Sequence, residues 1–326
     1  MSKGIMERLA EGPVLGDGGY LLELERRGYV RAGPFTPEVS VTHPEALAQL
    51  HREFLQAGAE VLQALTFYAS EEKLATVGMA GRVDDINRAA VRIARQVAGE
   101  GDALVAGDLS LTWAYDGNDP SSADRVRALF DRQLEVQVDE GIDLVVAETF
   151  TWLGEALVAV ERVRAAGLPV VVTMSFEKAA VAYEGDSPAA CASKLRDAGA
   201  DVVGINCLRS PDQTWPLLVQ MRGAVDGPVA AQPVAYRTSP DQPDFTALPE
   251  FPFALDPLQL PRQAMAAFAV RARELGVDFI GSCCGSVAAH VRAMAQALGK
   301  VPVDEGEWHV DYDRPMSAFE YYRHEA

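Results

Sequence analysis

The sequence is poor in cysteine, and it contains no long apolar run. Four cysteines in 326 residues are too few for the dense disulfide framework of a small secreted domain, so we expect free thiols in a reducing compartment. No stretch approaches the length of a membrane span, and residues 1–12 lack the basic, apolar and small-residue order of a secretory signal. We therefore predict a soluble, cytoplasmic protein with no membrane partner.

Basic residues are also scarce. The chain has 29 Lys and Arg against 47 Asp and Glu, a formal charge of −18. Such a surface repels a phosphate backbone, so a nucleic-acid partner is disfavoured. The hydrophobic fraction of 48% is ordinary for a globular enzyme and is enough for a full-size core.

Short apolar runs recur along the chain and indicate its fold. They lie at residues 14–19, 59–67, 102–110, 142–150, 169–176, 200–207, 228–235 and 277–284. Continuous apolarity is typical of strands buried on both faces of a parallel sheet. Stretches with helical spacing, such as 44–57, 83–100 and 123–140, lie between them. The pattern predicts an α/β protein with a single (β/α)8 TIM barrel domain over residues 1–326 and a short tail at about 303–326. An open doubly wound sheet is the alternative.

Three of the four cysteines stand at the ends of apolar runs. Cys207 ends the run in GINC, while Cys283 and Cys284 follow another run in GSCCG. The carboxyl ends of barrel strands meet at one mouth, so these thiols can converge there. Three thiolates with a fourth position left open would form a reactive zinc site. Core packing and a disulfide between the adjacent cysteines are the alternatives, and we expect Cys191, in a helical stretch, to pack in the core.

The same rule places further strand-end residues at the mouth. They are Asp17, Thr66, Phe67, Tyr68, Asp108, Glu148, Asn206 and Gln232.

Longer strings carry a family resemblance over nearly the whole chain. They are GDGGYLLELERRGYVRAGPFTPE from residue 16, HPEALAQLHREFLQAGAEVLQALTFYASEEKL from residue 43, GINC, LPEFPF and GSCCG. These strings resemble the zinc-dependent homocysteine S-methyltransferases, and among them the betaine–homocysteine branch. The resemblance implies a (β/α)8 barrel in which Cys207, Cys283 and Cys284 bind Zn²⁺. The implied reaction is methyl transfer to the thiolate of homocysteine, giving methionine.

The resemblance also implies where homocysteine binds. Asp17 and Glu148 match acidic residues that hold the substrate, although helix capping and a buried hydrogen bond are their alternative roles. Backbone amides of GDGG, that of Gly18 among them, could bind the substrate carboxylate, because glycine lets a backbone approach a ligand. Asn206, beside the first cysteine, completes the predicted set.

The methyl donor is less well determined. A quaternary ammonium is recognised by aromatic faces, and the candidate walls are Tyr20, Phe35, Phe67 and Tyr68, of which Tyr68 belongs to the donor site by resemblance. Phe35 stands where the animal betaine enzymes carry tryptophan, and Thr149 stands where they carry tyrosine. A betaine-type donor is predicted first. A sulfonium donor, S-methylmethionine or dimethylsulfoniopropionate, is the alternative.

Two other functions remain open. The protein could be a redox or metal-binding thiol protein whose paired cysteines form a reversible disulfide, or a zinc hydrolase. The hydrolase is disfavoured because such enzymes use histidine and carboxylate ligands, and none of the five histidines ends an apolar run. The animal enzymes continue past the point that matches EYYRHEA, through an arm that builds their oligomer. Any oligomer of this chain is therefore expected to form by another route.

Overall fold

A computed structural model of the chain describes residues 3–303. The predicted tail beyond residue 303 lies outside the described residues. It includes the string EYYRHEA, on which the prediction about oligomers rests. Within residues 3–303, no helix is long and apolar enough to cross a bilayer.

Eight parallel strands form one sheet, and each strand lies within one of the eight apolar runs. The strands are β1 (Val14–Leu15), β2 (Val61–Gln63), β3 (Leu104–Ser110), β4 (Leu144–Phe150), β5 (Val170–Met174), β6 (Val202–Asn206), β7 (Val229–Gln232) and β8 (Phe279–Ile280). Their order is β1-β8-β7-β6-β5-β4-β3-β2. β1 and β2 meet at the remaining seam, where the backbone N–H of Glu60 donates to the carbonyl of Leu15 at 2.8 Å. The sheet therefore closes, and the predicted (β/α)8 barrel is confirmed over the open alternative.

Helices surround the barrel. They are α1 (Ile5–Glu11), α2 (Leu21–Arg26), α3 (Val39–Thr42), α4 (Pro44–Ala57), α5 (Glu71–Ala75), α6 (Val83–Ala98), α7 (Ser122–Asp139), α8 (Leu153–Ala165), α9 (Pro188–Asp197), α10 (Pro211–Arg222), α11 (Arg262–Leu275) and α12 (Ala288–Ala297). The three amphipathic stretches become α4, α6 and α7, because their apolar positions recur at the helical period and face the sheet.

Two apolar layers fix the orientation of the barrel. A large cluster packs the outer faces of the strands against the helices, and Cys191 on α9 belongs to it, as predicted. A smaller cluster fills the barrel interior with residues such as Val61, Leu144 and Val202, together with Ile5 and Leu9 of α1. Because α1 closes the end at which the strands begin, the opposite end is left to carry the site.

Candidate active site: a cysteine cluster between two cavities

The three strand-end cysteines converge. The Sγ atom of Cys284 lies 3.8 Å from that of Cys207 and 3.9 Å from that of Cys283. All three sulfurs lie within 4.8 Å of one another, and none is in a disulfide. Tetrahedral zinc with Zn–S bonds of about 2.3 Å requires sulfurs about 3.8 Å apart. The donor set and its spacing therefore fit a metal ion with three protein ligands.

Strand β7 and a glycine bring these cysteines together. The backbone N–H of Cys207 donates to the carbonyl of Gln232 at 3.0 Å, and that of Cys283 donates to the carbonyl of Pro233 at 2.9 Å. Gly19 packs against the cysteine pair so closely that a Cβ atom there would lie 2.7 Å from the Cys283 carbonyl oxygen. The sequence GDGG thus has a steric role beside the cluster.

The cysteine thiols are poor acids in the absence of a cation. The contact with Cys283, together with burial, raises the pKa of Cys207 well above its ordinary value. For Cys284, the contact with Cys207 and burial raise the pKa in the same direction. Three neighbouring thiolates would repel one another in this buried place, so their ionisation at neutral pH requires a compensating positive charge.

An inner cavity lies on the barrel side of the cysteines. Its polar lining includes Asp17, Gly18, Gly19, Tyr20, Gln63, Asp108, Glu148, Gln232 and Ser282. The predicted residues Asp17, Gly18 and Glu148 are thus brought together beside the cysteines. Asn206 is not part of the lining and lies behind Glu148.

Asp17 belongs to a buried chain of hydrogen bonds. Its Oδ2 accepts from the phenol of Tyr20 at 2.5 Å and from the backbone N–H of Gln63 at 2.7 Å. The Tyr20 oxygen also lies 2.9 Å from Nδ1 of His51, which must donate because the phenol has already donated its only proton. Burial nevertheless raises the pKa of Asp17 to about 7. It lowers the pKa of His51 to about 3, so this histidine is neutral.

Glu148 is held by three side chains. The amide of Gln63 donates to its Oε1 at 2.5 Å, and the hydroxyl of Thr149 donates to its Oε2 at 3.2 Å. The amide of Asn206 also donates to Oε2, while Oδ1 of Asn206 accepts from the backbone of Thr149 at 3.0 Å. Burial raises the pKa of Glu148. Asn206 therefore fixes the position of this carboxylate.

Four polar side chains of the inner cavity were missing from the predicted site: Gln63, Asp108, Gln232 and Ser282. Gln63, the last residue of β2, was hidden within an apolar run, although an amide in such a run is a usable signal. Asp108 and Gln232 were placed at the mouth but were given no role. Both carboxylate oxygens of Asp108 and the Oε1 of Gln232 are buried without a hydrogen-bond partner among the described residues. Buried polar atoms of this kind are rare in folded proteins and mark positions where a ligand can bind.

An outer cleft lies on the solvent side of the cysteines. The predicted residues Phe35, Phe67 and Tyr68 line it, whereas Tyr20 lies in the inner cavity instead. Six further rings line the cleft: Trp113, Tyr115, Trp152, Tyr183, Phe245 and Phe251. Phe245 and Phe251 come from the long segment 236–257, which follows β7. The other four stand in loops after β3, β4 and β5, where periodicity gives no signal.

Backbone strain is concentrated at the same place. Seven non-glycine residues among residues 3–303 have positive φ, and six of them line the outer cleft. They are Phe35, Tyr68, Trp113, Thr149, Cys207 and Leu208. Each such conformation costs about 1–3 kcal/mol and persists only where surrounding structure imposes it, most often at functional sites.

The comparisons with known proteins identify the family. The homocysteine S-methyltransferase family matches residues 14–298, a range that contains all eight strands. The chain belongs to this family. It is therefore an S-methyltransferase, and homocysteine is the methyl acceptor of the family.

Individual relatives extend over most of the chain. Betaine–homocysteine S-methyltransferase 1 of Bos taurus is 45% identical over 314 residues, which cover 91% of this chain and 75% of the bovine protein. The Danio rerio protein of the same name is 44% identical over 313 residues, covering 91% and 76%. S-methylmethionine–homocysteine S-methyltransferase of Pongo abelii is 40% identical over 308 residues, covering 91% and 81%.

A solved structure confirms the likeness of fold. The metallated form of a homocysteine methyltransferase from Escherichia coli superposes with a TM-score of 0.71 over 89% of this chain and 98% of its own, at 20% identity.

In this methyltransferase the cysteines separate the two cavities. Cys207 and Cys284 line both the inner cavity and the outer cleft, as do Leu21, Phe67 and Thr149. A sulfur atom bound at the cluster can therefore belong to a molecule in one cavity while it reacts with a molecule in the other.

Proposed function

We propose that the protein transfers a methyl group from a betaine-type donor to the thiolate of homocysteine, giving methionine, with Zn²⁺ held by Cys207, Cys283 and Cys284. The observation that carries this proposal is the position of the cluster. Two of its three cysteines, Cys207 and Cys284, line both a cavity rich in carboxylates and a cleft rich in aromatic rings. Acceptor and donor can approach the same point from opposite sides.

The zinc ion would supply a low-pKa site for the homocysteine thiol and keep its sulfur nucleophilic at neutral pH. The three cysteines would provide its protein ligands, which agrees with their spacing. Within residues 3–303 no fourth His, Cys, Asp or Glu side chain joins them, and Cys191 packs in the core. A three-ligand set is the pattern of reactive rather than purely structural zinc sites.

The inner cavity suits the amino-acid end of homocysteine. Asp17 and Glu148 would accept hydrogen bonds from its ammonium group, whose positive charge would offset the burial that raises their pKa. The backbone N–H groups of Gly18 and Gly19 donate to no described residue, and both glycines line the cavity. These amides can receive the carboxylate. Tyr20 would position Asp17 from behind.

The outer cleft suits a cationic methyl donor. Each aromatic face that contacts a desolvated cation contributes about 0.5–2 kcal/mol. Tyr68 and Phe67 form a pair with ring centroids 4.3 Å apart, and Phe35 faces Phe251 at 6.1 Å. The animal enzymes carry tryptophan and tyrosine where this chain carries Phe35 and Thr149. The rings named above, together with those from the later loops, would replace the aromatic surface lost at these two positions.

A betaine-type donor is favoured over a sulfonium donor. The betaine-dependent relatives are 44–45% identical to the chain, and the S-methylmethionine-dependent relative is 40% identical. Aromatic faces attract both kinds of cation, so the donor is decided by assay. The free thiols that the site requires persist in a reducing compartment, which supports a cytoplasmic location.

The test compares metal content and methionine formation in the wild type, Cys207→Ala and the control Cys191→Ala. We expect about one zinc per chain in the wild type, and loss of both metal and activity only in Cys207→Ala. Glycine betaine, S-methylmethionine and dimethylsulfoniopropionate are supplied in parallel with homocysteine. Activity and zinc that survive in Cys207→Ala refute the metal site, and methionine formed only from sulfonium compounds refutes the betaine assignment. A reversible disulfide without bound zinc, found by thiol titration, would favour a redox protein.

A further inference from the structure

The outer cleft contains a single cationic side chain among the described residues that line it, Lys73 of α5. The three carboxylates of the cleft are already engaged. Glu155 accepts from the backbone of Thr112 at 2.7 Å, and Glu177 accepts from the phenol of Tyr183 at 2.5 Å. The third, Asp244, accepts from the backbone N–H of residue 246 at 2.8 Å. No acidic group of the cleft is therefore paired with the lysine.

Lys73 is half-buried against aromatic rings. Its Nζ lies 4.0 Å from the centroid of Tyr68 and 5.0 Å from that of Trp113. Within residues 3–303 the ammonium makes no ion pair. The two acidic residues that precede it in the chain form ion pairs with arginines: Glu71 with Arg132 at 2.9 Å, and Glu72 with Arg125. Burial lowers the pKa of Lys73, as expected for an ammonium without a counterion.

We propose that Lys73, whose ammonium lies over one face each of Tyr68 and Trp113, binds the anionic group of the methyl donor, while the aromatic faces of the cleft that the ammonium leaves free bind its cationic centre. The inference rests on the proposed function and names the donor class: a compact zwitterion whose carboxylate lies within a few bonds of its methylated cation. A cation that contacts the Tyr68 ring holds such a carboxylate within reach of Nζ, because Nζ and the ring are adjacent. The donor carboxylate also supplies the counterion that Lys73 lacks.

The same lysine would discriminate between methylated cations that carry an anionic group and those that do not. A methylated cation without an anionic group would meet the positive charge of Lys73 beside the rings and gain nothing in return. Like charges in a partly desolvated cleft repel each other, so such compounds are rejected even though they carry the same methyl group. Choline differs from glycine betaine by a hydroxymethyl group in place of the carboxylate and is therefore expected to be a poor ligand.

The test uses the full-length, zinc-loaded protein as wild type, Lys73→Met, Lys73→Arg and the control Lys194→Met. Lys194 is exposed on α9 and pairs with Asp186, away from the cleft. We expect KM for glycine betaine to rise about 10- to 100-fold in Lys73→Met, the scale of one lost charge-assisted hydrogen bond. It should recover partly in Lys73→Arg. KM for homocysteine should not change in any variant.

Two probes without an anionic group, choline and trimethylsulfonium, separate pairing from packing. Calorimetric titration into the homocysteine-loaded proteins should show that Lys73→Met binds them as well as the wild type does, or more tightly. An equal loss for glycine betaine and trimethylsulfonium, or a betaine KM within twofold of wild type, overturns the assignment of Lys73. If the wild type makes no methionine from any donor, methyl transfer fails as the function, and the titrations of glycine betaine against choline still decide the role of the lysine.

Discussion

The phenolic oxygen of Tyr20 lies 2.5 Å from Oδ2 of Asp17, so this side chain belongs to the inner cavity, which we propose receives homocysteine. The sequence had grouped Tyr20 with the candidate aromatic walls of the donor site, because an aromatic face can bind a quaternary ammonium. In the fold its ring packs edge-on against Phe54 at 5.2 Å. Its hydroxyl, rather than its face, points to the site.

Tyr20→Phe should therefore weaken binding of homocysteine and leave the donor unaffected. A hydrogen bond to a charged group contributes about 1.5 kcal/mol or more, so KM for homocysteine should rise about tenfold. Steady-state kinetics with each substrate varied in turn measures this. Tyr29→Phe, on a partly exposed ring, is the control. A rise in KM for the donor alone would contradict this prediction and assign Tyr20 to the donor site.

Gly19→Ala should damage the metal site and leave the barrel intact. The added Cβ would lie 2.7 Å from the carbonyl oxygen of Cys283 and 3.0 Å from the Cα of Cys284, so the cysteine pair must shift. Zinc affinity, followed by competition with a chromophoric chelator, should fall at least about tenfold, as it does when the shell around a metal ligand is disturbed. Gly81→Ala, where no atom lies within 4 Å of the added Cβ, is the matched control. Equal affinities in the two variants would contradict the steric role of Gly19.

Asp108→Asn should stabilise the substrate-free protein at high pH. Burial raises the pKa of Asp108 well above its ordinary value, and the charge of Glu148 adds to the effect. The folded state holds this proton more tightly than the unfolded chain does. The contribution of Asp108 to stability is therefore complete below about pH 4 and is lost as the pH rises through its folded pKa.

Asparagine does not ionise, so the variant escapes that loss. We expect its free energy of unfolding at pH 8 to exceed that of the wild type by about 1–3 kcal/mol, with a smaller difference at low pH. Urea denaturation across this pH range measures both, and Asp139→Asn, an exposed change on α7, is the comparison. A variant less stable than the wild type at pH 8 would mean that the carboxylate is ionised and paired.

Trp113→Leu should weaken donor binding with little change in stability. The side chain is 69% exposed, so little apolar burial is lost, whereas the ring lies beside Tyr68 at the cleft. Loss of one cation–π contact of about 0.5–2 kcal/mol corresponds to a rise of about 2- to 30-fold in KM for the donor. Phe253→Leu, on a ring that is 80% exposed outside the cleft, should leave this KM unchanged. Equal effects of both changes would remove Trp113 from the donor site.

Site residues at strand ends could be predicted from the sequence, because the carboxyl ends of all the strands in a barrel meet at the same mouth. Asp17, Glu148, Cys207 and the pair Cys283–Cys284 were found in this way and lie together as expected. Asn206 was found by the same rule, yet it positions Glu148 rather than lining the cavity. The rule gives proximity but not the direction of a side chain.

The site residues that the sequence analysis missed have side chains whose role no local sequence pattern indicates. Gln63 closes β2 several residues before the strand end that apolarity suggested, and the rings of Trp152 and Tyr183 come from loops. Lys73 reads as an ordinary surface lysine on a short helix, and only the packing of Tyr68 and Trp113 around it gives it a role.

The sequence by itself determined the barrel and the meeting of the three strand-end cysteines, because buried runs of fixed length and strand-end residues follow from local chemistry. Its longer strings carried the resemblance to the methyltransferase family. Tertiary structure decided the division of the mouth into two cavities on either side of Cys207 and Cys284, the pairing of Tyr20 with Asp17, and the aromatic surroundings of Lys73. Those features depend on side chains distant in sequence that meet only when the sheet closes, and no local spacing encodes such a meeting.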